Sequence, residues 1–141
     1  MRFWDSSALV PLVVEESSSG AMARAYRDDR RIVVAWTTPI ECLSACARKH
    51  RTKQLGETDF IAIVHRLRDL SGDWIVAEPT SELASEAERL VLRHGLTAAD
   101  AVQLASAIAT SSPNGGELVS LDRRLAHAAT SEGFRIVPEL E

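Results

Sequence analysis

Short β-branched and aromatic runs alternate along the chain with longer stretches of helical periodicity, and this alternation most narrows what it can fold into. The strand candidates are Arg2–Trp4, Ile32–Trp36, Trp74–Ala77, Glu117–Leu121 and Phe134–Val137. Between them Phe60, Ile61, Val64 and Leu67 recur at helical spacing, as do Leu83, Ala87, Leu90 and Val91. Gly56, Gly72, Gly95 and Gly133 fall where helices should stop, each offering a left-handed residue past the last turn. Strands alternating with helices imply parallel βαβ units, hence an α/β fold with a central sheet covered on both faces. Ligands of such sheets bind beyond the carboxyl ends of the strands. The 141 residues carry no internal repeat or linker and are expected to form one domain, 1–141.

Several classes are excluded early. Apolar residues make up 45% and charged residues 26%, as in an ordinary globular domain. The longest apolar run, Ala8–Val14, contains Pro11 and is too short to span a membrane. Asp5 stands where a signal peptide needs bases, and Glu15-Glu16 closes the stretch, so a cytoplasmic protein without membrane association is expected. Cys42 and Cys46 are too few for a disulfide framework; spaced four apart without a matching His pair, they read as packing. The net charge is −4, from 20 acids and 16 bases. Setting aside four acids that form a distinct group leaves the remainder balanced, so global charge does not decide for or against nucleic acid.

Those four are Asp5 after the first strand, Glu41 after the second, Asp100 at the head of an Ala-rich helix and Asp122 at the exit of a late strand. Each has an ordinary reading as a helix cap. Thr38-x-x-Glu41 with Pro39, and Thr97-x-x-Asp100, have the form of capping boxes, while Asp5 and Asp122 suit plain N-caps. Taken singly, each acid is more often a cap than a catalyst. Together they are harder to dismiss, because three of them follow strand exits that share one edge in a parallel sheet. A carboxylate pair about 4 Å apart repels by about 4 kcal/mol at an effective dielectric near 20. Total stability is only about 5–15 kcal/mol. Such a group needs protons or a cation, and hard oxygen donors without thiolate or imidazole select Mg²⁺ or Mn²⁺.

The chain resembles the PIN domain family, and within it the small VapC-type toxins. The likeness rests on Phe3-Trp4-Asp5-Ser6-Ser7-Ala8-Leu9, on Glu41 after Thr-Pro-Ile, on His94-Gly95-Leu96-Thr97-Ala98-Ala99-Asp100-Ala101-Val102-Gln103, on Leu118-Val119-Ser120-Leu121-Asp122-Arg123-Arg124-Leu125, and on Gly133-Phe134-Arg135-Ile136-Val137. It implies a PIN-like three-layer sandwich with a mostly parallel sheet of four to five strands. It also implies a Mg²⁺- or Mn²⁺-dependent endoribonuclease hydrolysing RNA phosphodiesters, with Asp5, Glu41, Asp100 and Asp122 as the acidic site. Asp5 and Asp100 are the expected metal ligands, while Glu41 and Asp122 would hold outer waters or a second ion. Ser6 and Ser120 are expected to orient these groups. The resemblance further implies a homodimer and a cognate VapB-type antitoxin whose peptide covers the acidic cleft.

Two departures stand out. Ser120 occupies a position where the family usually has Thr, which preserves a hydroxyl. Pro11 occupies one where Lys is frequent, so the first helix must begin late or give way to a 3₁₀ turn.

Of the remaining features, Arg48-Lys49-His50-Arg51 with Lys53 is the densest basic run and suits a helix end. Guiding RNA is the lesser reading for Arg48, Lys49 and Arg51. For Arg123 and Arg124, contact with substrate phosphate and plain solvation weigh equally. His50, His65, His94 and His127 are scattered, with His94 suited to a helix dipole. Trp4, Trp36 and Trp74 are expected in the core. A receiver domain needs paired acids and a late Lys, and a haloacid-dehalogenase phosphatase needs Asp where Ser7 stands. The standing alternatives are a non-catalytic PIN-like interaction module whose acids are caps, and a housekeeping RNA-processing PIN nuclease.

Overall fold

In the computed structural model, which describes residues 1–140, five short strands form one sheet: β1 (Arg2–Trp4), β2 (Ile32–Ala35), β3 (Ile75–Ala77), β4 (Glu117–Val119) and β5 (Arg135–Val137). Their order is β3-β2-β1-β4-β5 and every pairing is parallel. β1 is therefore central, with Phe3 opposite Val33 on one side and Leu118 on the other.

The period-2 alternation of the strands sorts their side chains between two cores. Phe3, Val33, Ala35 and Leu118 face one layer of helices: α5 (Ser81–His94), α6 (Ala98–Thr110) and α7 (Arg123–Ser131). Trp4, Ile32, Val34 and Val119 face the other, formed by α1 (Ser6–Leu9), α2 (Ser19–Asp28), α3 (Thr38–Arg51) and α4 (Glu57–Ser71). The expected sandwich is present, with five strands and a wholly parallel sheet. Ala101, Ala105 and Ala107 of α6 are buried; their small side chains let this helix lie close to the strands. Cys42 and Cys46 pack in the second core.

Pro11 is accommodated by brevity. α1 ends after four residues, and a 3₁₀ turn over Val10–Leu12 takes the proline at its start, where a missing N–H costs nothing.

Several local expectations are corrected. Trp36 lies just past β2 and is 42% exposed, because the strand stops at Ala35 and frees the indole from both cores. Gly56 opens α4 as its N-cap residue and does not close α3; the left-handed residue after α3 is Lys53 (φ 63°). Gly72 ends α4 in right-handed conformation, so only Gly95 (φ 64°) and Gly133 (φ 94°) play the predicted role. Thr38-x-x-Glu41 is no capping box. Thr37 is the N-cap residue, Thr38 is fully buried, and neither it nor Glu41 bonds to a backbone N–H of the helix start.

Candidate active site

Each of the four acids is delivered to the carboxyl edge of the sheet by a different element. Asp5 follows β1, and its N–H donates to Val119 O at 3.2 Å, extending the central strand pairing by one residue. Its side chain is 4% exposed and makes no cap bond to α1. Both carboxylate oxygens instead accept from Ser7 Oγ, at 2.8 and 3.0 Å, and Ser7 Oγ accepts from the N–H of Leu121 at 2.9 Å. Burial pushes the Asp5 carboxyl up to about 7; the hydroxyls of Ser7 and Ser120 draw it down, and the charges of Asp122 and Asp100 add to the rise.

Glu41, in the first turn of α3, is held on both oxygens. Oε1 accepts from Gln103 Nε2 at 2.7 Å and from Thr37 Oγ1 at 3.0 Å, while Oε2 accepts from Ser6 Oγ at 3.3 Å. Asp100 lies in the first turn of α6, whose N-cap Thr97 accepts from the Asp100 N–H at 3.2 Å. Burial raises the Asp100 carboxyl, Asp122 and Glu41 raise it further, and the Thr97 hydroxyl and the Arg124 charge oppose the shift. Asp122 is a true N-cap: Oδ1 accepts from the N–H groups of Arg124 (2.9 Å) and Leu125 (3.1 Å) at the head of α7. The buried Ser120 fixes it from behind, Oγ accepting from the Asp122 N–H at 3.1 Å. The cap reading thus holds at Thr97 and Asp122 and fails at Asp5 and Glu41.

Asp5, Glu41, Asp100 and Asp122 line one open cleft of about 280 Å³ with Ser6, Ser7 and Gln103. Among the described residues no three His, Cys, Asp or Glu side chains converge as a ready-made metal centre; the acids wall the cleft without closing on one point. Nor does any of the four form an ion pair with a base among the described residues. A buried carboxylate raised in this way and lacking a cationic partner calls for a proton or a metal, and four hard oxygen donors fit Mg²⁺ or Mn²⁺.

The basic candidates separate. Lys49 lines the cleft, 3.0 Å from Glu16. Arg48 and Arg51 are exposed and do not line it. Arg124 acts on Asp100, whereas Arg123 opens onto a different hollow of about 680 Å³ with His127, Phe134 and Arg135. His94 pairs with Glu132 at 2.7 Å, and His50 stacks on Phe60 with ring centroids 4.4 Å apart. Gln103, Ser7 and Glu16 escaped the sequence reading. Gln103 had a legible signal, since it follows Asp100 by one helical turn and so shares its face.

The sequence profile of the PIN domain family matches residues 2–130. Ribonuclease VapC45 of Mycobacterium tuberculosis is 33% identical over 144 residues, covering 96% of this chain and 94% of that protein. Among solved structures, PAE2754 from Pyrobaculum aerophilum superposes with a TM-score of 0.70 at 23% identity, covering 96% of this chain and 88% of that one. Mycobacterium tuberculosis VapC20, a Sarcin-Ricin loop cleaving toxin, gives 0.69 at 17% identity, covering 91% and 95%.

Proposed function

The chain belongs to the PIN domain family, and from that premise we propose that it is a divalent-metal-dependent endoribonuclease, the toxin of a VapBC-type toxin–antitoxin pair. The observation that carries the reading is one cleft lined by five carboxylates, of which Asp5, Glu41, Asp100 and Asp122 have no ion-pair partner among the described residues and Asp5 is buried. The match to a named ribonuclease over nearly the whole chain supports the same class of reaction.

Asp5 and Asp100 would hold the Mg²⁺ or Mn²⁺ ion, with Glu41 and Asp122 holding its waters or a second ion. When bound, such an ion neutralises phosphate charge and acidifies a coordinated water. The chain's own residues keep the carboxylates aimed. Ser7 fixes both oxygens of Asp5, Gln103 and Thr37 hold one oxygen of Glu41 while Ser6 holds the other, and Asp122 spends one oxygen on its helix and keeps the second for the cleft. Arg124, whose charge acts on Asp100 although the residue does not line the cleft, would meet the substrate phosphate from the rim.

A VapB-type antitoxin would cover this cleft with a peptide bearing a base against Asp5 or Asp100, meeting the same electrostatic need as the metal. The active unit is a homodimer in the cytoplasm.

The test is cleavage of total cellular RNA by wild type and Asp5→Asn with Mn²⁺, Mg²⁺ or EDTA. Metal-dependent cleavage that disappears in the variant is expected. A folded, partner-free wild type that cuts nothing overturns the reading in favour of an interaction module.

A further inference from the structure

Among the described residues a single base, Lys49, lines the acidic cleft, and its position differs in kind from that of the acids. Glu41, Ala45 and Lys49 follow one another at intervals of four on α3, and all three line the cleft. Four residues are just over one turn, so the three form one stripe, with Lys49 about 12 Å along the helix from Glu41. Ala45, between them, leaves the floor low. The stripe is a short groove that begins at the acids and ends at an ammonium group.

That ammonium is already engaged. Lys49 Nζ lies 3.0 Å from Glu16 Oε1, and both side chains are about one-third exposed or less, at 27% and 30%. Glu16 does not sit on a slack loop. Its N–H donates to Ser19 Oγ at 2.8 Å, and Ser19 Oγ donates to Pro11 O at 2.8 Å, closing the segment after the 3₁₀ turn. The Glu16 backbone is the anchored member of the pair and the four-carbon lysine stem the movable one. The neighbouring bases of the run do not compete for this place, since Arg48 and Arg51 point elsewhere and His50 is stacked on Phe60.

We propose that Lys49 is a second phosphate site, binding a backbone phosphate of the RNA strand beyond the one being cut, and that Glu16 occupies it in the absence of RNA. This rests on the nuclease reading for its substrate class but not for its test. A strand whose scissile phosphate lies among the acids must continue through a cleft of mostly negative charge. The groove over Ala45 leads it to Lys49, the base in the cleft's lining. Glu16 holds Lys49 at the distance a phosphate oxygen would take, so RNA exchanges one anion for another without drawing a free lysine out of solvent. Glu16 is then a positioning residue that moderates affinity, and Lys49 a binding residue.

Binding of a labelled single-stranded RNA oligomer of mixed sequence, measured in EDTA from about 50 to 200 mM salt, tests this without any cleavage. Each phosphate contact on a single strand contributes about 0.7 to the slope of log K against log salt, so Lys49→Met should lower the slope by that amount and Lys49→Arg should keep it. Glu16→Gln should tighten binding about two- to fivefold, the range of an exposed ion pair, and should do nothing in the Lys49→Met background. Thermal melts of each variant check that the fold is intact. An unchanged slope in folded Lys49→Met, a Glu16→Gln effect that persists without Lys49, or no wild-type binding overturns the proposal. A wild type that binds as expected yet cuts no RNA with Mn²⁺ sinks the nuclease reading and leaves the phosphate site standing.

Discussion

Gln103 Nε2 donates to Glu41 Oε1 at 2.7 Å, tying α6 to α3 across 62 positions of the chain. The same amide nitrogen lies 3.0 Å from the hydroxyl of the fully buried Thr38, so one side chain both sets a cleft carboxylate and satisfies a core polar group. Gln103→Leu keeps the volume and removes both bonds. The expected cost is about 1–3 kcal/mol of stability, from the unpaired Thr38 hydroxyl. Cleavage should fall about 10–100-fold, as for other residues that orient a ligand from behind, chiefly in kcat. Urea melts and steady-state cleavage check the two effects separately.

Asp5 gives the metal-free protein an unusual pH dependence. Its carboxyl, ordinarily near 3.8, is raised to about 7 in the fold. Between those values the unfolded chain has lost the proton and the folded chain keeps it. Stability is therefore highest near the lower value, falls as pH rises towards 7, and stays low above it. Asp5→Asn should flatten this fall and stabilise the metal-free protein at pH 8 by up to about 4 kcal/mol. Denaturant titrations of both proteins in EDTA from pH 4 to 8 measure the difference; equal slopes would remove the buried charge from the account.

The same burden predicts ion-linked stability. At a divalent ion concentration about 100-fold above its dissociation constant, wild type should gain about 2.7 kcal/mol. Asp5→Asn and Asp100→Asn should lose most of that gain. Thermal melts with Mn²⁺ against EDTA report it without any RNA present.

Asp122 allows its two roles to be separated. Asp122→Asn retains an oxygen for the Arg124 and Leu125 N–H groups and should leave stability within a few tenths of a kcal/mol, while Asp122→Ala should cost about 1 kcal/mol. Both remove the charge, and both should lose cleavage. An Asn variant with full activity would confine Asp122 to capping.

Glu132 provides a control remote from the cleft. It accepts from Arg89 at 3.0 and 3.2 Å and pairs with His94 at 2.7 Å, and these partners, Arg89 foremost, hold its carboxyl below the ordinary value. Its contribution is therefore present above the ordinary glutamate range and is lost as pH falls through the lowered value. With Arg89 substantially in solvent, Glu132→Gln should cost no more than about 1 kcal/mol at neutral pH and leave cleavage unchanged. Melts at pH 7 and pH 3 together with an RNA assay suffice.

The parts of the molecule written as period and punctuation could be read in advance. Strand positions came from β-branched runs, the layering from their alternation with helices, and the four acids from the places of three of them after strands and of Asp100 at a helix head. What could not be read were relations between distant segments. The hold of Gln103 on Glu41, and the meeting of Glu16 with Lys49, depend on how helices pack against one another. No local spacing encodes that. Trp36 misled because hydrophobicity fixes a preference for burial, while the length of β2 decided whether there was a core left to enter. Thr38 misled in the opposite sense: a side chain suited to capping went to a buried partner once tertiary packing supplied one.

The central place of β1 has a consequence in time. The first strand to be synthesised must wait for one of its two neighbours, because Phe3 and Trp4 pair with Leu118 and Val119 near the other end of the chain. Asp122 arrives later still. A nascent or prematurely ended chain can carry Asp5, Glu41 and Asp100 and yet have no cleft in which they meet, for the strand that anchors Asp5 has not been made. Long-range pairing of this kind is also slow to form. Assembly of the four acids into one cleft is thereby tied to a strand that the chain acquires only near its end.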